Sequence, residues 1–298
     1  MKNNTNSSPL NPALKKDLNL TLINAVENPR GESPYEDGLT EMVAGLLARG
    51  ADVDARASDD ATALMLAAKN GHTEIIAKLL DQGADVNAVI RPDGGTALMF
   101  AALNGHTEIV AQLLDRGADF NAERTDGVTA LMYAALNGHT ETVALLLDRG
   151  ADFNVAIRPD CYTALMIAAG NGHTEIVAQL LDRGADFNAE SPDGDTALMI
   201  AAANGHAETV LALLSRNDAD WQIVQDQLRH PALRNLNKEV SVVLAITLPE
   251  GELRNLIITS FNQRNPNNQI NQENNNILGA GIEAYKTLKD LKSWHVRY

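Results

Sequence analysis

Aromatic residues make up only 4% of this 298-residue chain, and it has a single cysteine, Cys161. An interior short of rings is filled by small aliphatics, which suits close-packed helices with Ala and Leu seams better than a β-sandwich. One thiol excludes an intramolecular disulfide and any cysteine-built zinc site, and it fits a reducing compartment. No stretch approaches about 18 uninterrupted apolar residues, and the opening MKNNTNSSPLNP has no apolar segment, so neither a membrane span nor a signal peptide is expected. Positive charge is scarce in the middle of the chain. Between Arg49 and Asp220 stand 11 Lys and Arg against 26 Asp and Glu, while the flanks hold 13 of each and cancel, leaving a net charge of -15. Such a segment repels phosphate backbones, so no nucleic acid is expected as a partner and a basic protein surface is favoured.

What the chain does have is a period. TALM begins at Thr62, Thr96, Thr129, Thr163 and Thr196, in steps of 34, 33, 34 and 33 residues, which marks a repeat array. Two-repeat steps are all 67, and IRPD recurs at Ile90 to Asp93 and Ile157 to Asp160, as copying of a two-repeat block would leave it.

Within TALMFAALNGHTEIVAQLLDRGADFNA the local signals agree. Thr96 is an N-cap, Leu98, Met99, Ala101 and Ala102 form an apolar stripe, and Asn104-Gly105 ends the helix. A second helix starts near His106, with Glu108 in its first turn complementing the dipole and Ile109, Val110, Leu113 and Leu114 at helical spacing. Gly117 closes it, and GADFNAERTDGV reads as a tight extended tip. Each unit is helix, turn, helix, hairpin-like tip.

These units resemble ankyrin repeats, whose pattern runs T-P-L-H-x-A-A, G-H-x-E, L-L and G-A-D-V-N-A over about 33 residues. The resemblance covers five units from Thr62 to Asp220 and implies an all-α ankyrin-repeat solenoid. The family proline is replaced by Ala63, Ala97, Ala130, Ala164 and Ala197, and the family histidine by Met65, Met99, Met132, Met166 and Met199, which predicts a thioether-filled seam between first helices. LTLINAVEN (Leu20 to Asn28) and GLTEMVAGLLARGADVDA (Gly38 to Ala55) resemble a worn first unit. The expected division is a disordered N-terminus over 1–13, a divergent capping repeat with an insertion over 14–55, and five repeats over 56–221. A helical cap over 222–261, an Asn-rich linker over 262–276 and an amphipathic terminal helix over 277–298 follow.

His72, His106, His139, His173 and His206 recur in NGHTE or NGHAE, which raises metal binding or acid–base chemistry. Stacked units lie about 10 Å apart, whereas zinc ligands converge within about 2.0 to 2.3 Å of one ion. The histidines therefore read as turn and N-cap residues bonding neighbouring backbone, the asparagines before them as helix-ending residues, and no cofactor or metal is expected. Cys161 has no histidine near it in sequence to activate it.

Identical columns hold neighbouring repeats together, so varying columns are free to read a partner. They are Ala61, Gly95, Val128, Tyr162 and Asp195 before the threonines, then Leu66, Phe100, Tyr133, Ile167 and Ile200, and Lys69, Leu103, Leu136, Gly170 and Ala203. The resemblance implies that these tips and first helices form a concave protein-binding face. Phe100, Tyr133 and Tyr162 are its aromatic anchors, a residue class worth roughly 2 kcal/mol or more when central and buried. Leu103 and Leu136 stand beside them, and Asp93, Asp126, Asp160, Asp193 and Asp195 form an acidic rim.

The expected protein is a non-enzymatic scaffold or adaptor, monomeric and cytoplasmic, with a basic protein partner. Two alternatives are a bacterial effector using the same surface in a host cell and a small enzymatic activity in residues 222–298. That last stretch has no cysteine and no Gly-rich phosphate loop.

Overall fold

Each threonine of TALM ends an extended tip and starts a helix. In the computed structural model, which describes residues 11–27, 36–215, 240, 241, 243, 244, 255 and 257–259, the hydroxyls of Thr62, Thr96, Thr129, Thr163 and Thr196 accept the backbone N–H three residues on at 3.3–3.4 Å. Such N-caps contribute about 1 kcal/mol each. The donors belong to the five methionines, whose side chains are no more than 5% exposed, so the expected thioether seam is core. Met65 also returns the contact, its sulfur accepting from the Thr62 N–H at 3.4 Å.

Among the described residues, twelve helices lie between Pro12 and Leu214. They are α1 (Pro12–Glu27), α2 (Glu36–Ala48), α3 (Ala63–Asn70), α4 (Thr73–Asp81), α5 (Ala97–Leu103), α6 (Thr107–Asp115), α7 (Ala130–Asn137), α8 (Thr140–Asp148), α9 (Ala164–Gly170), α10 (Thr174–Asp182), α11 (Ala197–Ala203) and α12 (Ala207–Leu214). The architecture is an all-α repeat solenoid. No strand occurs among the described residues; isolated bridges join Arg56 to Thr62 and Ala156 to Thr163, and backbone bonds such as Ile90 N–H to the Gly95 carbonyl at 2.9 Å close the hairpin-like tips. No described helix is long and apolar enough to cross a membrane. The chain divides into two compact units, Met1–Ile167 with Gln179–Asp186, and Ala168–Ala178 with Phe187–Tyr298. The expected linker, terminal helix and most of the helical cap lie outside the described residues.

In the first unit, first helices stack on first helices (α1 on α3, α3 on α5, α5 on α7) and second helices on second helices (α2 on α4, α4 on α6, α6 on α8). The stripes read from the sequence are what they bury. Ile75, Ile76, Leu79 and Leu80 of α4, and Ile109, Val110 and Leu113 of α6, are at most 9% exposed, and each such side chain contributes about 1.5–3 kcal/mol by leaving water. The worn unit takes its place through α1 and α2, although α1 starts at Pro12, well before the expected Leu20, where Asn11 caps the Ala13 N–H at 3.0 Å.

NGH joins one repeat to the next. The glycine adopts a positive φ (82° at Gly71, 70° at Gly105) that lets the helix end and the chain turn. Over it lies the histidine ring of the following repeat. A Cβ on Gly105 would stand 2.5 Å from His139 Nδ1, and one on Gly71 2.8 Å from His106 Cε1. The ring nitrogens His106 Nε2 and His139 Nε2 reach the carbonyls of Lys69 and Leu103 at 3.3 and 3.1 Å. A carbonyl only accepts, so Nε2 carries the proton. These histidines occupy N-cap positions but cap nothing with their side chains, so the expected backbone bond is made to the preceding repeat instead. The second unit repeats the device, with a Cβ on Gly172 2.6 Å from His206 Nδ1 and His206 Nε2 3.0 Å from the Gly170 carbonyl.

Weaker ladders run along the other columns. Arg116 pairs with Asp81 at 2.7 Å, Arg149 with Asp115 at 2.9 Å, and Arg183 with Asp148. These pairs are exposed and contribute little. Asn87 and Asn121 each accept the N–H of the next repeat's GAD aspartate, Asp119 and Asp152, at 2.9 Å. Hydroxyls pair at alternate interfaces, Thr107 with Thr142 at 2.7 Å and, in the second unit, Thr174 with Thr209 at 2.8 Å, in keeping with the two-repeat block. Phe120 is half-buried and lies beside Gly150 of the following repeat, where a Cβ would meet its ring at 3.9 Å.

The tips share one conformational demand two residues before each threonine. Gly94, Gly127 and Gly194 have φ of 85°, 83° and 81° there, while Asp60 (71°) and Cys161 (53°) adopt the left-handed region without being glycine. A β-carbon in that region costs roughly 1–2 kcal/mol, partly offset because glycine loosens the unfolded chain. Cys161→Gly is therefore expected to stabilise the protein by about 0.5–1 kcal/mol, seen as a higher urea midpoint at unchanged slope; a lower midpoint would contradict the strain.

Candidate functional site

In a stack whose repeated columns face inward, the first helices expose only what the columns leave over. Along α5, Ala97, Leu98, Met99, Ala101 and Ala102 are all at most 2% exposed. Phe100 and Leu103, three residues apart and so on one face of the helix, are half-buried. Along α7 the same five positions are buried, Tyr133 is half-buried, and Leu136 is 44% exposed. Because α5 packs on α7, these two pairs stand on neighbouring helices. At the other ends of the column Leu66 is buried, and Lys69 is exposed.

The tips continue from these helices. The Phe100 ring lies beside Gly95, where a Cβ would meet it at 3.8 Å. Tyr162 is half-buried just before α9, and its carbonyl accepts the Ile157 N–H at 2.9 Å across the tip. The aspartates serve their own turns first, since Asp59 Oδ1 accepts the Ala61 N–H at 3.2 Å, Asp93 Oδ1 that of Gly95 at 3.3 Å, and Asp126 Oδ1 that of Val128 at 3.2 Å.

Arg124 joins three of the expected site residues, although sequence reasoning did not single it out. Its guanidinium is 3.3 Å from Asp93 and 3.4 Å from Asp126. Burial works against its charge, but the Tyr133 phenol and the two carboxylates outweigh that and hold its pKa above the usual arginine value. A signal was present. Arg91, Arg124 and Arg158 all stand five residues before their threonines, within reach of the preceding tip. Arg158 pairs with Glu123 at 2.9 Å and donates its backbone N–H to the Asp126 carbonyl at 2.7 Å. Asp160 is exposed and makes no ion pair among the described residues. In the second unit Asp193 is exposed and Asp195 half-buried, the N–H of Asp195 donating to Ser191 Oγ at 3.1 Å.

Among the described residues no three His, Cys, Asp or Glu side chains gather as metal ligands. Cys161 is exposed, its thiol 3.5 Å from the Pro159 carbonyl. With first helices, turns and tips laid out in this order, the family comparison is decisive: a model of ankyrin repeats in three copies matches residues 35–124, 90–157 and 156–225. The chain belongs to the ankyrin repeat family. No curated protein matches it.

In this ankyrin repeat protein Asp60 ties the first tip to the next. Its carboxylate takes the Arg91 backbone N–H at 2.9 Å, the Arg91 guanidinium at 3.0 and 3.1 Å, and Arg56 Nη1 at 2.9 Å. The Arg91 side-chain bond, then the Arg91 backbone bond, with Arg56 adding, lower its pKa from 3.8 to about 2. The folded carboxyl thus holds a proton more weakly than the unfolded one. The junction's stabilisation is present above the unfolded value of 3.8 and is lost as pH falls through about 2. The stability difference between wild type and Asp60→Asn, measured by urea unfolding, is expected to shrink from pH 5 to pH 2.5; a constant difference would contradict the shift.

Proposed function

We infer that this chain is a protein-binding scaffold whose recognition surface is the ribbon formed by Phe100, Leu103, Tyr133 and Leu136, with Tyr162 and Asp160 at its edge. Ankyrin repeats are protein–protein interaction modules, and the finer assignment to this ribbon rests on one observation. Every other apolar position of α5 and α7 is buried to 2% or less, while these four keep exposed area, up to 44% at Leu136. Apolar side chains that keep exposed area, set three apart on adjacent helices, offer anchors that a partner covers. Binding needs no catalytic group, and His106, His139 and His206 are occupied in stacking.

The net charge of -15 favours a basic partner. Asp93 and Asp126 are shared with Arg124, so within the first unit the exposed Asp160 bears the acidic role proposed for the rim. Cytoplasmic location and a monomeric state remain part of this proposal.

The test is affinity capture from lysate, quantified by mass spectrometry, with wild type beside the triple variant Phe100→Ala, Tyr133→Ala, Leu136→Ala. None of the three is a fully buried position, so helix content and unfolding midpoint should stay near wild type. Loss of at least 1.4 kcal/mol of binding, about tenfold in recovery, is expected for the specific partners. Equal recovery by a folded triple variant would reject the ribbon as the binding surface.

A further inference from the structure

An asparagine followed by glycine is prone to internal chemistry, because no side chain shields the glycine nitrogen from the asparagine Cγ. That nitrogen attacks Cγ, the Cγ–Nδ2 bond breaks, and ammonia leaves with the glycine N–H proton. Water then opens the five-membered imide at either carbonyl. The products are aspartate and its isomer, in which the main chain runs through the side chain. The first unit has three such steps, Asn70-Gly71, Asn104-Gly105 and Asn137-Gly138, each followed by His-Thr, and all three asparagines are exposed. Access to water is therefore common to them, and the hold of the structure is what differs.

Ring closure needs the glycine N–H released from its acceptor and the asparagine turned out of helical geometry, so it proceeds through local opening. Asn70 and Asn137 are the last residues of α3 and α7, and the glycine after each donates four residues back, Gly71 N–H to the Ala67 carbonyl at 3.0 Å and Gly138 N–H to the Ala134 carbonyl. Asn70 is held a second time, its Nδ2 donating to the Val26 carbonyl of α1 at 2.9 Å. Helix α5 ends one residue sooner. Asn104 lies beyond its last residue, Leu103, and Gly105 N–H reaches the Ala102 carbonyl, three residues back, at 3.3 Å. The Asn104 Nδ2 turns onto its own helix, donating to the Phe100 carbonyl at 2.9 Å. Asn104 thus combines a position outside the helix, a long glycine bond and a side chain that takes no grip on the preceding repeat.

We propose that Asn104-Gly105 is a site of spontaneous deamidation in the folded chain, and that its products loosen the contact of α5 with the repeat that follows. Either product replaces an N–H donor by a carboxylate, which sets an acceptor against the Phe100 carbonyl and loses that bond. The isomer also adds a methylene to the main chain next to Gly105. There the His139 ring already leaves so little room that a Cβ on the glycine would stand 2.5 Å from Nδ1. The His139 Nε2 bond to the Leu103 carbonyl lies across the lengthened step and is carried out of register. The site draws on stacking geometry and on no property of a bound partner, so it holds or fails apart from the ribbon.

The test ages the full chain at mildly alkaline pH, once folded and once in concentrated urea, and follows aspartate and its isomer at each asparagine by peptide mapping with mass spectrometry. The ratio of the denatured to the folded rate gives the protection of each step and cancels differences in neighbouring sequence. Asn104 is expected to be protected about threefold less than Asn70 and Asn137, or weaker still, and the folded chain to lose urea midpoint as the product accumulates. Asn104→Gln keeps a side-chain amide but closes the larger six-membered imide far more slowly, so its midpoint is expected to fall at less than half the wild-type pace. Protection of Asn104 equal to or above that of Asn70 or Asn137 would overturn the proposal. So would an Asn104→Gln chain that loses midpoint as fast as wild type.

Discussion

Neighbouring repeats of this chain approach so closely at the end of the first helix that a single β-carbon would not fit. The His139 ring occupies the space beside Gly105, and its Nε2–H closes on the carbonyl of Leu103, one of the backbone acceptors that a helix end leaves without an intrahelical donor. Three demands meet at that one place: a left-handed residue to end the helix, an empty position for the ring, and a donor for the carbonyl. Asn-Gly-His meets all three with consecutive residues, which explains why it recurs. The distance set there fixes the register in which the methionine seam, the Thr107–Thr142 pair and the Asn–Asp tip ladder can form.

A stack held in this way leaves its function at the remaining positions. The repeated columns bury themselves so completely that the exposed apolar area of α5 and α7 is confined to the varying columns. The tips have a mixed role. Asp93 and Asp126 close their own turns and share Arg124, so less of the acidic charge faces outward there than the composition suggests. Charge in this molecule is arranged tip by tip, and net charge alone does not describe it.

The parts of the fold legible in the sequence are those that short-range chemistry decides. TALM placed the start of α5 at Ala97, and Asn104-Gly105 placed its end, because an N-cap hydroxyl and a left-handed glycine act on their own helix. What could not be read depends on the distance between repeats. The histidines read as turn residues bonding neighbouring backbone, but nothing within one repeat shows that the acceptor is a carbonyl of the preceding repeat. Arg124 drew no notice because its value comes from Asp93, a full repeat earlier in the chain. The start of α1 at Pro12 was missed for a related reason: its extension stands where other repeats have a tip, and nothing in the consensus announces a helix there. For the candidate site, the internal alignment marked Phe100, Leu103, Tyr133 and Leu136 as varying, but their exposure, which gives the variation meaning, came from the packing.

The stacking constraint is tested most directly by a double-mutant cycle on Gly105→Ala and His139→Ala, with stabilities measured by urea unfolding. With His139 present, the alanine side chain meets the ring and also strains a φ of 70°; with His139 removed, only the strain of about 1–2 kcal/mol remains. The account predicts that Gly105→Ala costs at least 1 kcal/mol more in the histidine background than in the alanine background. Costs that agree within about 0.5 kcal/mol would contradict it, since the glycine and the ring would then act independently.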